Sequence, residues 1–265
     1  MSLDLFARPA LLFLPASNPR AIAKARESAA DLVILDLEDA VKPADKDRAR
    51  QAAVEALSEA WPMPVAVRIN GVGTEPHGAD LAAVLGNAAL PVVVPSLRTM
   101  EELHGVASVI SRAPLVMVET ALAVVNVIEF ARHSAALIVG TNDLAADLRL
   151  PPGAGRGPMQ YAIQATLLAA RAAGVPVFDG VYNQIDDADG FAREAEESRA
   201  LGFDGKSLIH PEQIGPCQTA FAPTESEIAR AERLIAAATG GAERFEGAMI
   251  EDMHVESARR LLARR

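Results

Sequence analysis

Two carboxylates, Glu119 and Asp143, each stand at the abrupt polar end of a short apolar run: Leu115–Val118 before Glu119-Thr120, and Ala136–Val139 before Gly140-Thr141-Asn142-Asp143. Between the runs Val124, Val127, Ile128 and Ala131 recur at helical spacing, so the segment reads as strand, helix, strand with a parallel crossover. The carboxyl ends of such strands lie side by side, which makes the two acids spatial neighbours across 24 positions of sequence. Neighbouring carboxylates repel unless a cation sits between them. A hard divalent cation such as Mg²⁺ takes one or two carboxylates together with water and substrate oxygens. The residue types alone equally allow Glu119 to cap a helix and Asp143 to cap a turn.

Arg68 is the second chemical signal. It lies inside the apolar run Val65–Ile69, where an arginine is seldom left unpaired. Two roles stand open for it: an ion pair with Asp36 or Glu38, or a bidentate grip on a substrate carboxylate. Other polar residues also follow apolar runs: Ser17 and Asn18; Asp36, Glu38 and Asp39; Asn70; Ser96; Asp179 and Tyr182; Lys206, Ser207 and His210. If the runs are strands of one barrel, these residues ring one mouth, where barrel enzymes carry their active sites.

The elements needed to position them are legible. Eight apolar runs, Ala10–Leu14, Leu32–Leu35, Val65–Ile69, Pro91–Val94, Leu115–Val118, Ala136–Val139, Val175–Phe178 and Asp204–Ile209, alternate with helical segments. This is the pattern of a (β/α)₈ TIM barrel, class α/β. We place the barrel at residues 1–222 and a C-terminal helical extension at 223–265, a tail able to act as a lid. That tail holds a helix over Ser226–Ala238, a break at Thr239-Gly240-Gly241 and an amphipathic stretch over Gly247–Arg265.

Composition narrows the function. The 265 residues are 50% hydrophobic and 4% aromatic, so the core is built from aliphatic side chains. A formal charge of −10 argues against non-specific nucleic-acid binding, which wants a basic face. One cysteine, Cys217, rules out a disulfide framework and a cysteine-rich zinc site and fits a reducing compartment. The first apolar run is too short to span a membrane and lacks a basic start and a cleavage site. The expectation is a soluble, cytoplasmic protein. The five histidines lack metal-ligand spacing, and there is no nucleophile elbow, phosphate-binding P-loop or dinucleotide fingerprint.

Six segments, taken in order, resemble the citrate lyase beta-subunit-like family, which includes malyl-CoA and citramalyl-CoA lyases and belongs to the metal-dependent hydroxy-acid aldolases. They are Arg8–Pro15, Ala30–Val41 with its Asp36-Leu37-Glu38-Asp39, Val67–Asn70, Glu119–Ala121, Gly140–Leu148 and Gly205–Pro211. The resemblance implies Mg²⁺ on Glu119 and Asp143, and Arg68 as a catalytic and substrate-binding group on a carboxylate or 2-oxo acid; we place Glu119 and Asp36 with it as substrate-binding residues. It implies a carbon–carbon lyase that cleaves or forms a 3-hydroxyacyl thioester such as malyl-, citramalyl- or citryl-CoA. The phosphates of CoA are then the expected partners of the basic residues Arg20, Lys24, Lys42 and Lys46 near the first two strand ends, which otherwise read as a solvated helix face.

The family's lid commonly carries an acid after a Met-Ile or Met-Val pair. Here Met249-Ile250 precedes Glu251 and Asp252, which makes Glu251 the expected proton-transfer residue in a homotrimer or hexamer whose tail serves a neighbour. Ala16-Ser17-Asn18 departs from the glycine-containing turn that relatives often have. Two other functions remain open at this point: an aldolase of free hydroxy-keto acids that needs no CoA, and a non-catalytic subunit of a lyase complex.

Overall fold

The structure, a computed structural model, describes residues 3–86 and 89–263. Eight parallel strands close into a barrel in sequential order: β1 (Ala10–Pro15), β2 (Leu32–Asp36), β3 (Val65–Arg68), β4 (Val92–Val94), β5 (Leu115–Val118), β6 (Ala136–Val139), β7 (Val177–Asp179) and β8 (Gly205–Leu208). The barrel helices are α1 (Pro19–Arg26), α2 (Lys46–Leu57), α3 (His77–Val84), α4 (Met100–Ile110), α5 (Ala121–Val125), α6 (Val127–Arg132), α7 (Thr141–Asp147), α8 (Gln160–Ala173), α9 (Ala188–Leu201) and α10 (Ile214–Phe221). The expected (β/α)₈ barrel is therefore the observed fold.

Strand side chains alternate between the two faces of the sheet, and this alternation positions the site. Leu11, Leu32, Ile34, Ala66, Val93, Leu115, Met117, Ala136, Ile138 and Phe178 form the packed barrel interior. Stepping two residues on from these positions reaches Asp36, Arg68, Glu119 and Gly140, the inward rung at the carboxyl-terminal mouth. The register places Asp36 directly opposite Arg68. The apolar filling thus ends where the polar residues begin.

The opposite parity corrects part of the expected ring. Asp179 and Lys206 are paired across β7 and β8 and point outward beneath α9. The fully buried Lys206 Nζ donates to Asp179 Oδ2 (2.9 Å), Glu194 Oε1 (2.7 Å) and the Gly180 carbonyl (2.6 Å). All three of its protons are used. Arg156 adds a bidentate bond to Asp179 at 2.7 and 2.8 Å, which ties the loop before α8 to the barrel wall. A buried charge survives only when paired in this way, so these residues brace the wall.

The chain divides into two compact units, Met1–Ala220 and Phe221–Arg265. The second contains α11 (Glu225–Ala237), a hairpin of β9 (Glu243–Phe245) and β10 (Ala248–Ile250), and α12 (Asp252–Leu262). Ala231, Leu234, Ile250 and Ala258 are its buried core. The hairpin was not foreseen. Its strands have three residues each, too few for alternation to register, and its turn is Glu246-Gly247, both at positive φ (48° and 85°), as tight hairpin turns require. The single helix expected between β5 and β6 is two, interrupted at Asn126. Among the described residues no helix is long and apolar enough to cross a membrane.

Candidate active site

Glu119 follows β5 and is 1% exposed. One carboxylate oxygen, Oε1, accepts the Ser96 backbone N–H at 2.6 Å and the Ser96 hydroxyl at 2.9 Å. Ser96 ends the β4 segment in a left-handed backbone conformation (φ 51°), a strained choice for a residue with a side chain. The other oxygen, Oε2, is buried with no hydrogen-bond partner among the described residues. A Cβ at Gly140 would lie 2.5 Å from Oε2 and 2.4 Å from the Glu119 Cβ, so only glycine lets β6 pass this carboxylate. Burial, and then the charge of Asp143, push the Glu119 carboxyl up to about 7. Asp143, in the first turn of α7, is itself raised by burial and by Asp39.

Arg68 is 7% exposed and gripped from below. Its Nε and Nη2 donate to Asp36 Oδ1 and Oδ2 at 2.7 and 2.5 Å, while Nη1 lies 2.9 Å from Glu38 and 3.4 Å from Asp39. The guanidinium stacks over the Phe13 ring, 5.4 Å from its centroid. Burial, opposed by Arg68 and reinforced by Glu119, pushes Glu38 up to about 9. Asp36, Asp39, Arg68, Gly140, Asp143 and Ser207 are among the residues lining a cavity of about 370 Å³ at this mouth. The Ser207 hydroxyl is also buried without a hydrogen-bond partner among the described residues.

Several expected residues are placed differently. Asp36 also accepts the backbone N–H groups of Glu38 (2.8 Å) and Ala40 (3.1 Å), so together with Arg68 its four acceptor positions are filled. Asp36 orients Arg68, which corrects the expectation that it touches substrate. Lys46 donates to the carbonyls of Leu37 (2.8 Å) and Glu38 (2.7 Å) and staples the β2 loop, which corrects its assignment to CoA. Arg20 and Lys24 are exposed on α1, one turn apart, and Lys42 is exposed in the loop before α2. Glu251 lies in the second unit at the start of α12, where its N–H donates to His254 Nδ1 at 3.0 Å. His210 holds the loop after β8 by accepting the Glu212 N–H at 3.3 Å.

Sequence reading missed the functions of Ser96 and Gly140. Ser96 was visible only as a polar residue after a strand, and the need for glycine at 140 arises from a neighbour 21 positions away. Both matter to Glu119 in different degrees. Ser96→Ala keeps the backbone donor and should weaken divalent-cation binding by less than about tenfold, whereas Gly140→Ala must displace the carboxylate and should weaken it by about 10–100-fold. Mn²⁺ titration followed by the free-ion EPR signal checks that order.

The donor set fits a hard divalent cation. Two acids of raised affinity for positive charge flank a cavity, one of them with an orphaned oxygen. Among the described residues no three His, Cys, Asp or Glu side chains form a metal cage. A cation here would therefore draw its remaining ligands from water and substrate, the usual arrangement for Mg²⁺.

Residues 9–211 match the family model described as HpcH/HpaI aldolase/citrate lyase. The chain belongs to this family. Among HpcH/HpaI relatives it is 38% identical to a (3S)-malyl-CoA thioesterase of Cereibacter sphaeroides, over 96% of this chain and 93% of that protein. It is 35% identical to the citrate lyase subunit beta of Leuconostoc mesenteroides subsp. cremoris, over 87% of this chain and 82% of that one. Its structure matches CitE from Mycobacterium tuberculosis, solved in complex with magnesium, acetoacetate and coenzyme A, with TM-score 0.87 and 36% identity, covering 98% of this chain and 99% of that one. This likeness to citrate lyase beta proteins agrees with the resemblance carried by the six sequence segments. Thioester hydrolysis was not anticipated from the sequence.

Proposed function

We propose that this protein is a Mg²⁺-dependent carbon–carbon lyase acting on a 3-hydroxyacyl-CoA thioester that carries a carboxylate next to the hydroxyl-bearing carbon. One observation carries the reading: the orphaned Glu119 Oε2 shares a mouth with Asp143 and with an Arg68 already aligned by Asp36. The charge balance points the same way. Asp36, Asp39 and Asp143, with Glu119 held up at about 7, face Arg68, while Glu38, pushed up to about 9, keeps its proton near neutral pH. An anionic substrate enters such a mouth only with a cation to offset the acids. The magnesium and coenzyme A bound by the CitE neighbour support both ligands for this chain.

In this reading Glu119 and Asp143 hold the cation, which when bound polarises the substrate hydroxyl and the carbonyl it becomes. Arg68 fixes the carboxylate through its Nη1 side, and Asp36 prevents the guanidinium from turning. That holds the breaking bond in line, the kind of positioning that converts binding energy into rate. Glu251 takes the hydroxyl proton, the bond between the carbinol and α carbons breaks toward the thioester, and the resulting enolate is protonated. The products are a 2-oxo acid and a shorter acyl-CoA. Arg20, Lys24 and Lys42 meet the CoA phosphates. The homo-oligomer, with Glu251 supplied to a neighbouring barrel, belongs to the same proposal.

A second reading, hydrolysis of the thioester, is favoured by the 38% identity to (3S)-malyl-CoA thioesterase. The two differ in products. Purified protein with Mg²⁺ and malyl-CoA is expected to release glyoxylate, trapped as its phenylhydrazone, together with acetyl-CoA and no free thiol. Stoichiometric CoA thiol with malate and no hydrazone would assign hydrolysis instead. Turnover of free hydroxy-keto acids at the same rate as the thioesters would remove CoA from the account.

A further inference from the structure

Asp147 lies in the Gly140–Leu148 segment with Asp143 and has no part in the chemistry above. It is exposed at the end of α7. Its Oδ2 nevertheless accepts the backbone N–H of Ala121 at 2.6 Å, across 26 positions of sequence. Ala121 is the first residue of α5, two positions after Glu119. An N–H at that helix position has no acceptor within its own helix. Thr120, the N-cap, spends its hydroxyl on Ala123 at 3.0 Å, so Asp147 receives the donor that the cap leaves over.

We propose that Asp147 is a positioning residue that sets the separation of Glu119 and Asp143. This rests on the reading that those two acids hold the cation. At the level of the sheet their segments are locked: Val118 faces Val139, and the Gly140 N–H donates to the Val118 carbonyl at 3.0 Å. Beyond that point the chain diverges into α5 on one side and α7 on the other. The bond from Asp147 to Ala121 closes a ring that runs through Glu119, Thr120 and Ala121 and returns along α7 to Asp143. Asp143 and Asp147 are four residues apart, on one side of a helix only seven residues long, so a tilt of α7 moves both together. The far flank of α7 is held too. Asn142 and Asn183 exchange amide hydrogen bonds at 3.2 and 2.6 Å, joining this helix to the loop after β7. The Asp147 bond is thus the tie on the Glu119 side.

The bond can be cut from either end. Asp147→Ala removes the acceptor. Ala121→Pro removes the donor, at a first-turn position where proline is well tolerated and after a Thr120 already in the extended conformation that proline demands (φ −129°, ψ 153°). Asp147→Asn keeps an acceptor oxygen and removes the charge. The readout is Mn²⁺ affinity of the full chain, from the free-ion EPR signal, with thermal melting alongside. Mn²⁺ suits the same oxygen ligands as Mg²⁺. We expect Asp147→Ala and Ala121→Pro each to bind Mn²⁺ about tenfold more weakly than wild type, with unchanged melting temperature and with Asp147→Asn close to wild type. Wild-type affinity in Ala121→Pro overturns the inference. So does a loss in Asp147→Asn equal to that in Asp147→Ala, which would make the carboxylate a matter of charge. A wild-type chain that binds no Mn²⁺ overturns the cation site itself, which separates failure of that reading from failure of this one.

Discussion

Glu119→Gln is expected to lower turnover by at least about a thousandfold while leaving the fold intact or firmer. The first half follows from what the carboxylate holds, since a metal-supplied Lewis acid contributes several kcal/mol to the barrier and each ~1.4 kcal/mol is a factor of ten. The second half follows from its surroundings. The amide keeps an oxygen for the two Ser96 donors. Glu119 is held up at about 7 by burial and by Asp143. A carboxylate whose folded-state pKa is raised binds its proton more tightly folded than unfolded, so raising the pH through that range costs stability. At pH 8 in chelator the wild type carries this ionised, uncompensated group and Glu119→Gln does not. Its melting temperature should therefore equal or exceed that of wild type. A lower melting temperature with turnover intact would make Glu119 a structural cap.

Arg68→Lys is expected to lower kcat/KM on the thioester by about a hundredfold or more, because a lysine keeps the charge but cannot hold Asp36 with one edge and present Nη1 to the substrate with another. Here the fold should also suffer. Asp36 is 1% exposed and would lose at least one of its two guanidinium bonds, at a cost of about 1–3 kcal/mol for a buried group left short of a partner. Thermal melting and steady-state kinetics on the folded fraction separate the two effects. Loss of stability with normal turnover per folded molecule would reduce Arg68 to the ion pair with Asp36. A normal kcat with raised KM would show that it binds without orienting.

The barrel was readable because each strand is a short apolar run with a polar end, and the alternation of runs with helical segments leaves few other folds. The nearness of Glu119 to Asp143 was readable for the same reason: parallel neighbours bring their carboxyl ends together. What the sequence hid was parity. Asp179 and Lys206 also sit at strand ends, yet a one-residue difference turns them outward into a buried brace beneath α9. Asp36 and Lys46 were right in place and different in task, since their partners are Arg68 and two carbonyls of their own loop. Long-range demands were invisible altogether. Nothing near Gly140 announces that the Glu119 carboxylate will pass where a Cβ would be. The Glu243–Ile250 hairpin lacked the length for any periodic signal.

In the proposed function Glu119 and Asp143 hold one divalent cation together with the oxygens of a 2-oxo acid. Calorimetric titration of Mg²⁺ into the chain, with pyruvate present at saturation, tests it most directly. One cation per chain is expected in the wild type, and no measurable binding in either Glu119→Ala or Asp143→Ala. Wild-type Mg²⁺ affinity in both variants would contradict it.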